Sequence, residues 1–209
     1  MFLSSLAVIF FTLPIHEWAH GFASTKLGDP TPRYQGRLTL NPMAHIDLMG
    51  AVGILLFGIG WAKPVQVNAR YYKNPKWGMA LVALAGPLSN IILAFALLLI
   101  GNVFVITPLS ELTITWYVYN FLYYIALINI SLAVFNLIPV PPFDGSRILF
   151  VVLPQKYYFQ IMRYERYIFI GIFAIVYSGI LDRPLNYLTT GLFNIVANLA
   201  SLPFIFFGV

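Results

Sequence analysis

Long apolar runs are the feature that most constrains this chain. Several approach or exceed the roughly 20 residues that an α-helix needs to cross a bilayer, and the longest covers residues 77–106. Of the 209 residues, 60% are hydrophobic and 9% are charged, and the mean hydropathy is +0.82. Soluble domains of this length carry far more charge. The sequence therefore predicts an all-α polytopic membrane protein.

We expect about five to six transmembrane helices in one membrane-embedded domain over residues 1–209, with its core in residues 1–153 and additional helices in 163–209. The first helix should cover residues 2–27, because Gly28 and Pro30 are helix-ending residues. The remaining apolar runs end at Gly, Pro or charged residues. They cover residues 77–106, 116–138, 167–181 and 185–207.

The region between the first two long runs predicts two shorter elements. Residues 33–40 alternate partly between polar and apolar side chains, which favours a short β-hairpin near the membrane surface. Residues 48–62 are apolar and include four glycines, but they cover only part of a bilayer. A re-entrant segment after the first helix fits that length.

Basic residues are unevenly distributed among the loops. The loop between the first two long spans is rich in Lys and Arg, whereas residues 107–115 contain neither. More basic residues follow the third span, beginning with Arg147. By the positive-inside rule, the first and third spans both run from outside to the cytoplasm. Their cytoplasmic ends should therefore meet in one leaflet.

The pentapeptide from His16 to His20, His-Glu-Trp-Ala-His, lies inside the first apolar run. At positions i and i+4, two imidazoles share one helix face and can bind one metal ion, with Glu17 beside them as a possible general base. Ionisable side chains are costly within a membrane and usually functional there. The alternative is an amphipathic helix end with two interfacial histidines.

Asp144 is the best candidate for a third ligand. Catalytic zinc sites commonly use three protein ligands and leave a position for water. Asp144 lies just past the third span, in the leaflet where His16 and His20 are expected. Its surroundings, Pro-Pro-Phe-Asp-Gly, are also typical of a turn, so a structural role is the alternative.

Composition excludes several other classes of protein and site. The chain has no Cys, which rules out disulfides, thiolate metal sites and cysteine nucleophiles. The net charge is +5, but Lys and Arg are scattered and form no basic stripe, so we expect no nucleic-acid partner.

Two motifs resemble those of the site-2 proteases, which are zinc-dependent intramembrane metalloproteases. HExxH corresponds to residues 16–20, and NxxPxxxxDG corresponds to residues 136–145. Three further segments are similar to the short prokaryotic branch of this family. They are residues 36–42 with His45 and Asp47, residues 61–65 and residues 85–90.

This resemblance implies one Zn²⁺ per chain, held by His16, His20 and Asp144, with Glu17 as the catalytic base. It implies a zinc endopeptidase that cleaves within or near a transmembrane helix of a membrane protein. It further implies a multi-pass protein of a prokaryotic plasma membrane, and the loop charges predict that the site opens toward the cytoplasm. We expect the short type without a PDZ domain. The sequence leaves the substrate and the oligomeric state open.

Other residues have less certain roles. Asn136, within the second motif, and Asn90 are candidates to stabilise the charge of the tetrahedral intermediate, although Asn in membranes often bonds between helices. We expect His45 to be structural, oriented by Asp47. The segment Arg33, Tyr34, Gln35, Gly36, Arg37, Leu38, Thr39, Leu40 is a candidate edge strand for an extended substrate.

Two alternative functions remain open at this stage. A non-catalytic membrane scaffold could keep the metal for structure, but such a site has no need of Glu17 and usually has four protein ligands. A zinc carrier should present ligands along several helices, whereas this chain has one cluster.

Overall fold

The computed structural model describes residues 2–57, 60–106 and 112–206. Within this part of the chain the regular structure is helical. The first half contains α1 Phe2–Ala7, a π-helical segment Val8–Thr12, α2 Leu13–Lys26, α3 Thr31–Tyr34, a 3₁₀ turn Pro42–Ala44, α4 Leu48–Phe57 and a 3₁₀ turn Ala69–Tyr71. The second half contains α5 Pro75–Ile106, α6 Thr113–Asn136, α7 Asp144–Leu149, α8 Gln155–Arg163, α9 Glu165–Tyr177 and α10 Asp182–Phe206.

The structure leaves the predicted count of five to six membrane-crossing helices unconfirmed. Two helices, α5 and α6, are long and apolar enough to cross a bilayer, and α9 with α10 makes a third if that pair, bent by 85°, is one span. The first predicted span is helical from Phe2 to Lys26, but the π-helical segment divides it. The chain is an integral membrane protein with two or three such helices among its described residues.

Helices α5, α6 and α10 form the main core. Small residues lie at their contacts, including Ala94, Ala126 and Ala200, all fully buried, and Ile130 fills the space between them. Small side chains let membrane helices approach closely, so that dispersion contacts stabilise the bundle. This core holds α5 in place beside α2, the helix that carries His16 and His20.

Helix α2 packs against α5 in the antiparallel direction. His20 contacts Val82, both histidine rings lie beside Gly86 one turn later, and Lys26 at the end of α2 lies near Trp77 at the start of α5. A second contact holds the π-helical segment, where the Asn129 amide of α6 donates to Thr12 Oγ1 at 3.1 Å. The two contacts fix the rotation of α2 and therefore the direction of its histidines.

The predicted β-hairpin at residues 33–40 is wrong for the described structure, in which no strand is assigned. Pro32 presets the backbone for the helical turn α3, and the backbone N–H of Arg37 then returns to the carbonyl of Pro32 at 2.9 Å. Gly36 closes this turn with φ +65°. The alternation does not correspond to burial, because Tyr34 and Leu40 are exposed and Arg37 is buried.

The segment after this turn agrees with a re-entrant path. Helix α4 has 10 residues, about 15 Å, which is too short to cross a bilayer. An antiparallel bridge pairs Ile46 with Ala62, so the chain returns to the level at which it entered. Gly50 lies against the Trp61 backbone, where a Cβ would collide, so this close return requires glycine.

Candidate metal centre

Three side chains that could bind metal converge at the contact of α2, α5 and α7. His16 and His20 are buried one above the other on α2, and their Nε2 atoms are 3.0 Å apart. The Oδ2 atom of Asp144 lies 3.2 Å from His16 Nε2 and 3.3 Å from His20 Nε2. The three ligand atoms lie within 4.8 Å of one another, so one small cation can contact all three.

Local packing at the end of α6 places Asp144. The prolines between Pro139 and Pro142 end the helix, and Asp144 then opens α7. A Cβ on Gly145 would lie 2.5 Å from the Leu137 carbonyl carbon and 2.6 Å from Ile138 O. Only glycine allows this approach, which explains why Gly follows Asp in the motif.

The protonation of His20 is set by a backbone carbonyl. Its Nδ1 lies 2.7 Å from Val82 O, which requires the proton on Nδ1 and leaves the Nε2 lone pair facing Asp144 in the neutral ring. Metal-binding histidines commonly make such a second contact, which fixes the ring.

The donor set fits a divalent cation. Asp144 Oδ2 is buried and has no aligned hydrogen-bond donor among the described residues, although two imidazole nitrogens approach it. A carboxylate oxygen and nitrogen lone pairs that face one point repel one another unless a cation lies between them. Two imidazoles and one carboxylate are a common set for catalytic zinc.

Gly86 on α5 leaves room for the two rings. A Cβ at this position would lie 2.6 Å from His16 Cε1 and closer still to the His20 ring. Any larger side chain would push the imidazoles away from Asp144. This glycine belongs to the Ala-Gly-Pro segment, residues 85–87, and its role there is steric.

Glu17 is held by an extended segment, residues 62–68, which we call the strap. The backbone N–H of Val65 donates to Glu17 Oε2 at 2.8 Å. On one side the Lys63 N–H donates to His45 O at 2.8 Å. On the other side the Asn68 N–H donates to Asp29 Oδ2 at 2.7 Å. The strap thus orients the carboxylate of Glu17.

Asp29 anchors the strap and was missed by sequence reasoning, which used only its neighbours Gly28 and Pro30 as helix-ending residues. It is fully buried and also accepts from Ser24 Oγ at 2.8 Å and from the Thr31 N–H at 2.9 Å. Burial acts to raise the pKa of Asp29, but these hydrogen bonds outweigh it and hold the pKa below its usual range. An Asp between Gly and Pro, with Thr two residues later, was the available signal.

The remaining predicted residues lie outside the cluster of ligands. Asn136 donates to Leu132 O at 3.0 Å in its own helix, and Asn90 is buried with no partner for Oδ1 in the described part of the chain. A role for either in stabilising charge stays a prediction.

His45 Nε2 lies 2.8 Å from Thr39 O, whereas Asp47 accepts from the Gly50 N–H at the start of α4. Residues 33–40 form no strand edge, so their contact with a substrate stays a prediction.

A helix that carries His-Glu-x-x-His, with a carboxylate beside it in an apolar helical bundle, is typical of membrane-embedded metallohydrolases. Comparison with known proteins agrees with this class. The family model described as Peptidase family M50 matches residues 101–177, which include Asp144. No solved structure matches the chain.

Three relatives are named as zinc metalloproteases. The putative zinc metalloprotease YwhC of Bacillus subtilis is 41% identical over 166 residues, which cover 78% of this chain and 74% of YwhC. The putative zinc metalloprotease Rip2 of Mycolicibacterium smegmatis is 29% identical over 69% of this chain and 55% of its own length. The zinc metalloprotease MJ0392 of Methanocaldococcus jannaschii is 29% identical over 72% of this chain and 34% of its own length.

The chain belongs to peptidase family M50, the family of the site-2 proteases. The resemblance seen in the sequence motifs is thereby confirmed. Zinc is the cofactor that this membership and the His-His-Asp set imply.

Proposed function

We propose that this protein is a zinc-dependent intramembrane endopeptidase that cleaves a peptide bond within or near a transmembrane helix of a membrane protein. One observation carries the proposal: Asp144 Oδ2 lies 3.2 and 3.3 Å from the Nε2 atoms of His16 and His20. Glu17 lies on α2 together with these two histidines. The membership in family M50 supports peptide hydrolysis, and the apolar helices around the site support a substrate in the membrane.

His16, His20 and Asp144 would hold the ion. When bound there, zinc would acidify a water molecule and polarise the scissile carbonyl. Glu17 would accept a proton from the attacking water as the water oxygen bonds to the carbonyl carbon, and would then give that proton to the departing amine as the C–N bond breaks. The Val65 N–H holds Glu17 Oε2, which leaves the other carboxylate oxygen for proton transfer.

The substrate must lose its helical hydrogen bonds before its carbonyl can be attacked. Backbone groups in a membrane helix are fully paired, so a scissile bond becomes accessible only where the helix opens. We therefore expect selection by local helix instability and by access to the site. A membrane-tethered protein with Gly, Pro or Asn near the scissile bond fits this requirement.

The test is cleavage of a membrane-spanning reporter by the purified chain. Glu17→Gln keeps an oxygen for the Val65 N–H but removes the base, so we expect turnover to be abolished. Glu165→Gln, at the start of α9, is the matched control and should cleave normally.

Mass spectrometry of the products should place the cut within the apolar segment. A cut only in soluble flanks would contradict the intramembrane part, and cleavage by Glu17→Gln would contradict the role of Glu17. Stoichiometric zinc without cleavage of any reporter would favour the scaffold alternative.

We also propose that the site opens to the cytoplasm of a prokaryotic plasma membrane. The proposal rests on the Lys and Arg residues between α2 and α5, next to the ends that carry the site. Because the chain has no Cys, Lys73→Cys introduces a single reporter thiol. A membrane-impermeant maleimide should label it in inside-out vesicles and not in intact cells. Labelling in intact cells would reverse the orientation.

A further inference from the structure

A cavity of about 370 Å³ lies between the end of α2 and the start of α5, away from the metal centre. Two lysines, Lys26 and Lys73, flank it, and both are exposed. In the described structure neither ammonium group has a carboxylate within 4.0 Å. The mechanism uses neither residue.

Apart from Asn74, the other walls of this cavity are apolar or aromatic. Trp77 and Leu81 line it on successive turns of α5 and are 59% and 50% exposed, and buried Tyr72 closes its inner side. The described lining residues include no Asp or Glu. The cavity therefore presents two positive charges beside an apolar wall.

The position of the cavity matches the boundary of the membrane. The candidate span on α5 begins at Pro75, between Lys73 and Trp77. Tryptophan in such a span lies at the level of the lipid headgroups, and lysines near a helix end extend toward the phosphates. Lys26 Nζ lies 5.3 Å from the centroid of the Phe22 ring, so its charge also lies over an apolar surface.

We propose that this cavity binds the headgroup of an anionic phospholipid, with its phosphodiester between Lys26 and Lys73 and its acyl chains along Trp77 and Leu81. Basic pockets beside membrane helices bind anionic headgroups through this combination of charge and apolar contact. A zwitterionic headgroup would bring its own cation toward the two lysines. The described lining of the cavity has no carboxylate to bind that cation. The inference does not depend on the proteolytic activity.

The test is binding of phosphatidylglycerol and of phosphatidylcholine with identical acyl chains to the full chain in neutral detergent, counted by native mass spectrometry. Each lysine near a membrane surface contributes about fivefold in affinity, so Lys26→Gln with Lys73→Gln should weaken phosphatidylglycerol binding about thirtyfold. Phosphatidylcholine binding should change little. The control, Lys156→Gln with Arg183→Gln, removes the same charge from exposed positions elsewhere and should keep the preference.

Several results would overturn the proposal. The first is equal affinity of the wild type for the two lipids, and the second is an equal loss of phosphatidylglycerol affinity in the control variant. The third is displacement of the lipid by glycerol phosphate at equal concentration, which would indicate an anion site without lipid selectivity. Zinc content and the thermal midpoint report whether the double variant folds. If it does not, Lys73→Gln alone should weaken binding about fivefold, and no loss would count against the site.

Discussion

The Nδ1 atom of His20 lies 2.7 Å from the carbonyl oxygen of Val82, so a backbone group of α5 fixes the tautomer of a side chain on α2. The contact turns the Nε2 lone pair of His20 toward His16 and Asp144. Helix α5 thus shapes the candidate metal centre without supplying one of its three side chains. Its distance from α2 should control how tightly the ion is held.

Replacing Gly86 with Ala tests this dependence. The new Cβ would come within 2.6 Å of His16 Cε1, so α5 must move away and the contact of Val82 with His20 must loosen. Loss of an outer-shell contact typically lowers metal affinity about 10- to 100-fold, and we expect a loss of at least this size. Zinc retained after dialysis against a weak chelator measures it.

Gly191→Ala is the matched control, because a Cβ there meets nothing within 4 Å. It should retain zinc fully, and helix propensity should stabilise it by up to about 1 kcal/mol. If Gly86→Ala retains zinc as well as Gly191→Ala does, the steric account of Gly86 is wrong.

Val65→Pro removes the one backbone N–H that donates to Glu17 Oε2. Hydrogen bonds to charged groups contribute about 1.5–3 kcal/mol, so we expect kcat to fall by about 10- to 100-fold. KM and zinc content should change little, since neither the ligands nor the metal is touched. Val67→Pro is the control, because the N–H of Val67 has no hydrogen-bond acceptor in the described structure. Equal losses in the two variants would show that any proline damages the strap.

Asp29→Asn should make stability less dependent on pH. The folded pKa of Asp29 lies below the unfolded value, so its contribution is complete above about pH 4 and is lost as pH falls through the folded pKa. At pH 7 the variant should unfold about 3–10 °C lower than the wild type in detergent. This difference should shrink below about pH 4. A difference that is constant down to pH 2 would contradict the role of the charge.

Local patterns predicted the parts of the site that depend on spacing within one element. Two histidines four residues apart share a helix face whatever surrounds them, and Asp144 follows a proline-rich helix end that has few conformations. The re-entrant path of residues 48–62 stays a prediction from length, because the run is too short to cross the bilayer and too apolar for a surface loop.

Contacts between distant segments were not predictable from these patterns. The bond between Val65 and Glu17 joins residues 48 apart, and Asp29 reaches Asn68 across 39 residues. Alternation at residues 33–40 suggested a strand, but Pro32 and Gly36 impose a turn. The span count of five to six stays unconfirmed, because a π-helical segment and an 85° bend interrupt apolar runs without changing their composition.

The zinc content of the wild type, Glu17→Gln and Asp144→Asn tests the central claim most directly. The account predicts about one zinc per chain in the wild type and in Glu17→Gln, with nitrogen and oxygen ligands in X-ray absorption, because Glu17 is not a ligand. Asp144→Asn should lose affinity by more than the about 10- to 100-fold typical of outer-shell changes. A wild type without zinc, or an Asp144→Asn variant that binds zinc as tightly as the wild type, would contradict the assignment of His16, His20 and Asp144 as the metal centre.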